Sequence, residues 1–181
     1  MSQGLREHDG LITQKGYDLH EVISALQKEI RRCKEYEAVY WAAELESFKP
    51  KILWNRLRVI ASEDIGLADP YASLIVDVLE KQYDDAVADK KDSKRLFLVH
   101  AVLFLARSPK SRIVDNLLAV VYNDEERHEI PDYALDKHTV RGKQMGRGYE
   151  HFFAEGALLE KQTIEDPYEK KAFEALKKKN T

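Results

Sequence analysis

One cysteine, Cys33, is all the chain has. That excludes an internal disulfide framework and fits a reducing, cytoplasmic setting. Long hydrophobic runs are missing too. The longest, Leu96 to Ala106, is too short to span a bilayer and is interrupted by His100, so no membrane partner is expected. The first eighteen residues lack the apolar stretch of a signal peptide. Neither sign of charge dominates: 29 lysines and arginines face 32 aspartates and glutamates, a net charge of −3. Charges this balanced read as solvated helix faces and exclude a strongly polarised nucleic-acid binder. No segment alternates apolar and polar residues with the period of a strand, so the class is all-α. A phosphate loop of the form G-x-x-x-x-G-K-[ST] is also absent, and Gly142, Gly146 and Gly148 do not fit its spacing. No cofactor follows from these residues, and the chain by itself reads as non-enzymatic.

With 181 residues the chain makes one domain, or one domain with an appendage. Proline marks its joints: Pro50, Pro70, Pro109 and Pro167 each precede a helical pattern. Residues 1–16 are polar, carry three glycines and read as a loose N-terminal arm. A first helix follows Asp18 through Leu19, Val22, Ile23, Leu26 and Ile30. A second, from about Glu35 to Ser47, is expected to bury Tyr36, Val39, Tyr40 and Ala43. A third runs from Pro50 to Asp64. A fourth runs from Pro70 to about Ala88, with Leu74, Ile75, Val78 and Leu79 as its apolar face. The fifth, Lys94 to Arg107, is apolar nearly all round, so Leu96 to Phe104 is expected at the centre of a bundle with His100 as a hydrogen-bonded core residue. Ser108-Pro109 starts a sixth helix bearing Ile113, Val114, Leu117, Leu118 and Val121. The bundle thus covers 17–123. Residues 124–181 read as an irregular extension packed on it, ending in a short basic helix from Pro167 to Lys179.

The most informative stretch is Trp54 to Pro70, W-N-R-L-R-V-I-A-S-E-D-I-G-L-A-D-P. Gly66 offers the positive φ that ends a helix. Asp69-Pro70 restarts one, the carboxylate accepting free amide hydrogens and proline taking the first helical position. Ser62, Glu63 and Asp64 form a polar cluster between the two.

The segment Ile60 to Pro70, I-A-S-E-D-I-G-L-A-D-P, resembles the signature of the C-terminal region of the replication-associated recombination ATPases, the bacterial RarA or MgsA proteins and the eukaryotic Werner-helicase-interacting ATPase. Tyr17-Asp18 with Ile23-Ser24-Ala25, Tyr40-Trp41 and Ser108-Pro109-Lys110-Ser111 agree in order and spacing. Met145-Gly146-Arg147-Gly148-Tyr149 is a weaker echo, and the family's lysine- and tyrosine-rich ending is replaced here by Gly146 to Phe153. The resemblance implies an all-α bundle like the collar of clamp loaders, attached in those proteins to an AAA+ ATPase module and assembling them into tetramers. It implies the collar without the motor: a homotetramer acting in DNA replication, recombination or repair, with a separate AAA+ ATPase as a partner.

Other readings of single residues stay open. Glu63 and Asp64 are either a structural cluster with Ser62, Gly66 and Asp69, paired with Arg56, Arg58 or a base from the extension, or an acid pair serving a metal-dependent hydrolase with His138 and His151. The spacing of those histidines matches no zinc motif. Arg141, Lys143, Arg147 and Tyr149 are candidate phosphate or DNA contacts, since cations, glycines and an aromatic ring lie within nine residues. Three cations give weak, salt-sensitive binding, and the lysines at 177–179 add to it. Alternatively the arginines turn back onto Glu63 and Asp64. Cys33, between Arg32 and Lys34, pairs with no histidine pattern and reads as an inert thiol. Trp41, Val121 and Tyr122 are candidates for the contact between subunits.

Overall fold

Asp18 opens the first helix as its sequence requires: its carboxylate accepts the amide hydrogens of His20 and Glu21. In the computed structural model, which describes residues 11–178, that helix is α1, Leu19–Arg31, followed by α2, Glu35–Phe48, and α3, Pro50–Ile60. A π-helical turn, Ala61–Ile65, and a 3₁₀ turn, Gly66–Ala68, carry the chain from α3 to α4, Ala72–Ala88. Then come α5, Lys94–Arg107, and α6, Ile113–Tyr122. Four shorter pieces follow: a 3₁₀ turn at Asp132–Ala134, α7 at Val140–Gln144, α8 at Tyr149–His151 continued by a π-turn at Phe152–Gly156, and α9 at Glu169–Lys178. Among the described residues no strand ladder forms, only an isolated bridge between Ile12 and Asp18. The protein is all-α. The backbone separates into two compact units that divide between Asp124 and Glu125.

The core of the first unit is built from one stripe of each helix. Leu19, Val22, Ile23, Leu26 and Ile30 of α1 meet Ala38, Ala42 and Leu45 of α2, Leu53, Trp54, Leu57 and Ile60 of α3, Val76 and Leu79 of α4, and Leu98, Val102 and Leu105 of α5. The apolar stripes of α1 and α3 are those their spacing predicts. Those of α2 and α4 are rotated from expectation. On α2 the small residues Ala38 and Ala42 face inward, letting the backbones approach, while Tyr36 and Ala43 face water. On α4, Ala72, Val76, Leu79 and Tyr83 are buried and Leu74 and Val78 are exposed.

The expectation for α5 is corrected more deeply. Leu98, Ala101, Val102, Leu105 and Ala106 are buried, but Leu96 is 67% exposed, His100 is exposed, and Leu103 and Phe104 are half-buried. A helix apolar on all sides has core neighbours on only one of them here. His100 is therefore a surface residue, and Leu103→Ala should cost less than the roughly 2–5 kcal/mol of a fully buried leucine, whereas Leu105→Ala should fall inside that range. Chemical denaturation of the two variants checks the contrast.

The arm at 1–16 lies partly outside the described residues, as does Lys179. What is described of the arm is tied down. Thr13 and Tyr17 close a turn by Thr13 N–H to Tyr17 O, and Leu19 N–H returns to Leu11 O. Lys15 bridges to the buried carboxylate of Glu44, and Tyr17 packs edge-on to Trp41. The Thr13 hydroxyl and Lys15 together hold the Glu44 carboxyl below its usual range. Trp41 is thereby half-buried against the arm and the core.

Residues beyond Glu125 are more helical than the irregular extension expected. Of these pieces α9 falls where the basic helix from Pro167 is expected, whereas α7 and α8 are too short for a periodic pattern to be read in the sequence. They carry a small aromatic row, His138–Phe152–Phe153–Phe173, with ring centroids 5.1–5.3 Å apart.

Candidate functional site: the polar hub and the exposed sixth helix

The π-helical turn at Ala61–Ile65 lets α3 overshoot by a few residues and swings Asp64 inward. Its side chain is fully buried. Its oxygens accept from Arg31 Nε and, at 2.9 Å, from Gln27 Nε2, both supplied by α1. Arg31 Nη2 reaches Glu63 at 2.9 Å, and Arg56 Nη1 donates to Gln27 Oε1 at 3.1 Å. The result is a relay from Arg56 through Gln27 to Asp64, closed by Arg31. The carboxylates, Asp64 first, hold the Arg31 guanidinium more firmly protonated than usual. Such a buried ion pair is tolerated because both carboxylate oxygens of Asp64 accept a hydrogen bond.

The partners of this cluster differ from the sequence reading. Arg58 turns away to Asp77 and Glu80 on α4, Arg56 acts only through Gln27, and the cation that matters is Arg31. Arg147 pairs with Asp132 within its own unit. Ser62 is exposed and makes no hydrogen bond among the described residues. Asp69 accepts from the Tyr71 amide at 3.0 Å, and helix α4 starts at Ala72, two residues later than Pro70 would place it. Asp64 is thus occupied by an arginine and an amide. Among the described residues no cluster of three histidines, cysteines, aspartates or glutamates could hold a metal.

The same turn positions α6. Asp64 O accepts the Ser111 amide at 2.9 Å. Gly66 has φ +48° and ψ −122°, which only glycine adopts easily, and a Cβ there would sit 3.1 Å from Val114 Cγ2. Ser108-Pro109-Lys110-Ser111 links the two elements. Ser108 Oγ donates back to Phe104 O, and Lys110 Nζ covers the last carbonyls of α5 at Leu105 and Ala106. Ser111 Oγ, not Ser108, accepts the Ile113 amide that opens α6. So α6 rests on residues 61–68, held by the polar hub behind them.

Yet α6 buries none of its side chains. Ile113, Val114, Leu117, Leu118, Val120, Val121 and Tyr122 are 39–83% exposed. Seven apolar residues in a ten-residue helix would cover about the ~800 Å² that each partner contributes to a standard interface, and monomers seldom leave such a patch in water. Sequence spacing marked this helix as apolar but could not show that no neighbour covers it.

The basic, glycine-containing segment is largely committed. Arg147 donates twice to Asp132 and once each to the carbonyl oxygens of Asp132 and Leu135, and that pairing holds the Asp132 carboxyl below its usual value of 3.8. Lys137 Nζ covers the ring of Tyr149 at 3.2 Å. Gly142 has no room for a side chain, since a Cβ would meet the Asp136 carbonyl at 1.8 Å. Arg141 and Lys143 on α7 keep no ion-pair partner among the described residues, and Arg141 lines a polar cavity of about 450 Å³ with Arg127 and His128. His138 Nδ1 pairs with Asp136 at 3.0 Å, and His151 Nδ1 is buried without a partner. Of the four candidate phosphate contacts, then, Arg147 and Tyr149 are engaged within the fold.

A sign follows for pH. A carboxyl depressed in the fold contributes stability that is present above its unfolded value and lost as pH falls through the folded one. The Arg147–Asp132 contribution should therefore be intact at neutral pH and disappear below about pH 3.8. Arg147→Ala should lower the melting temperature of the second unit, and by more at pH 7 than in acid, where only its hydrogen bonds to the Asp132 and Leu135 carbonyl oxygens remain to be lost. Arg141→Ala with Lys143→Ala should leave melting unchanged. Calorimetry of the three chains at two pH values separates these outcomes.

Comparison with known proteins agrees with the signature. A family profile described as "MgsA AAA+ ATPase C terminal" matches residues 35–181. The chain is 30% identical over 155 residues to replication-associated recombination protein A of Escherichia coli K12, covering 82% of this chain and 34% of that protein. It is 31% identical over 170 residues to the protein of that name from Bacillus subtilis, covering 88% and 39%. It is 28% identical over 180 residues to the ATPase WRNIP1 of Dictyostelium discoideum, covering 93% and 20%. The chain spans about a third of the length of the bacterial relatives. No described helix is long and apolar enough to cross a membrane.

Proposed function

Since the chain belongs to the MgsA AAA+ ATPase C-terminal family, we propose that it is a non-catalytic assembly module, associating with copies of itself through α6 and serving DNA replication, recombination or repair beside an AAA+ ATPase module. The observation that carries this is the uncovered apolar face of α6, anchored from behind by a hydrogen-bonded polar hub. An interface held rigid before contact loses little entropy on association. Tetramer is the closed form the family resemblance implies, and closed symmetry limits exposure of such a face. The polar hub is framework in this reading: it fixes the angle at which α6 leaves the bundle.

A nucleic-acid role is the weaker reading, because Arg147 and Tyr149 are engaged within the fold and leave Arg141 and Lys143 as cations for phosphate. Two phosphate contacts would give a shallow salt dependence unless association multiplied them.

The test is sedimentation equilibrium of the whole chain. At micromolar concentration its mass should exceed that of one chain, and Val121→Asp, at a position 57% exposed, should return it to a monomer without changing its helical circular dichroism. A wild-type chain that stays monomeric would remove the proposal.

A further inference from the structure

We infer that the α6 ridge of one copy seats in the apolar groove between α4 and α5 of a second copy, an inference that rests on the self-association proposed above and names the surface that receives α6. Two cavities, of about 390 and 420 Å³, adjoin at His100 and extend along α5. Leu74 and Val78 of α4 and Leu96, Phe97 and Leu103 of α5 form their walls. Leu74, Val78 and Leu96 are 60%, 48% and 67% exposed, although each lies on a helix whose opposite side is core.

The dimensions of ridge and groove agree. From Leu96 to Arg107 the groove follows α5 for about 16 Å, walled by α4 as far as His100 and by Asp69, just before α4, beyond it, and the ten residues of α6 make a rod about 15 Å long at the helical rise of about 1.5 Å per residue. Ile113, Leu117 and Val121 recur at the i, i+4, i+8 spacing by which a helix presents one row of side chains to a groove between two others. Within its own chain α6 is fixed against residues 61–68, with Val114 over Gly66, so the row is already oriented.

Packing α6 against a second α6 would cover the ridge and leave Leu74, Val78 and Leu96 in water. Packing ridge into groove removes both apolar surfaces at once. Because ridge and groove are unlike surfaces, a copy damaged in one can still use the other.

That last property gives the test. Leu117→Asp damages the ridge and Leu96→Asp the groove. Both side chains are more than half exposed, at 59% and 67%, so each variant should keep its melting temperature. Each alone should sediment as a monomer, and an equimolar mixture should form a heterodimer through the one intact ridge–groove contact. If Leu96→Asp assembles like the wild type, or if both variants dissociate and their mixture stays monomeric, the inference is overturned while the self-association of the wild type stands. If the wild type itself is a monomer, the proposal beneath it fails instead. Should either aspartate variant melt early, Leu117→Lys and Leu96→Lys take its place with the same readings expected.

Discussion

Replacing Arg31 by alanine should lower the stability of the first unit by roughly 3–5 kcal/mol, the cost of stranding a buried carboxylate. Asp64 is fully buried and Arg31 is the only cation paired with it among the described residues, with the arginine side chain itself 29% exposed. Once Arg31 is gone, Gln27 is left as the one side-chain donor to Asp64 and Glu63 loses its closest base. The penalty comes from the orphaned charge more than from the lost contact. Accordingly Arg31→Met together with Asp64→Leu, which removes both charges, should be less damaging than Arg31→Met alone. Both tryptophans, Trp41 and Trp54, lie before residue 124, so their fluorescence during urea unfolding reports this unit and leaves the second silent. An Arg31→Ala midpoint within error of the wild type would show that the hub does not hold the fold.

Trp54→Ala should cost a similar amount, about 3–5 kcal/mol, through the cavity it opens. The indole is 2% exposed and leans on Tyr83, ring centroids 5.3 Å apart. Its Nε1 has no hydrogen-bond partner. Burial pushes the neighbouring Glu80 carboxyl above its usual range and drives Tyr83 up to about 12. An unsatisfied donor in such a place is itself unfavourable by about 1–3 kcal/mol. Trp54→Phe removes that donor along with some volume, and the two effects oppose. It should therefore be far milder than Trp54→Ala, a difference that thermal unfolding would register directly. Equal losses for the two variants would mean that the N–H is satisfied in solution by water.

Local chemistry was legible from residues alone where both cause and effect lie within a turn or two. Asp18 caps α1, Gly66 takes a positive φ, and the stripes of α1 and α3 face inward because nothing competes with their spacing. What could not be read depends on contacts made far along the chain. Asp64 finds Arg31 from 33 residues away, and no local pattern distinguishes Arg31 from Arg56 or Arg58 as its partner. The all-apolar α5 looked central because periodicity cannot say whether a second apolar side meets core or solvent. Leu96 and His100 settle that it meets solvent. On α2, small residues won the inward face over Tyr36 because close helix approach favours alanine. Arg147 could be placed neither on a phosphate nor on a carboxylate from sequence, since its partner Asp132 lies in a turn with no periodic signature.

The central claim is that association covers the α6 face, and amide hydrogen exchange of the full chain as a function of concentration tests it where it applies. With no buried side chain, α6 leaves its backbone hydrogen bonds open to solvent in a lone subunit even though residues 61–68 fix its direction, whereas α1 is held by five core residues at any concentration. Raising the concentration from nanomolar to tens of micromolar should slow exchange across Ile113–Tyr122 and along the Leu96–Leu103 side of α5, and leave α1 unchanged. Exchange in α6 that is fast and independent of concentration would contradict the account.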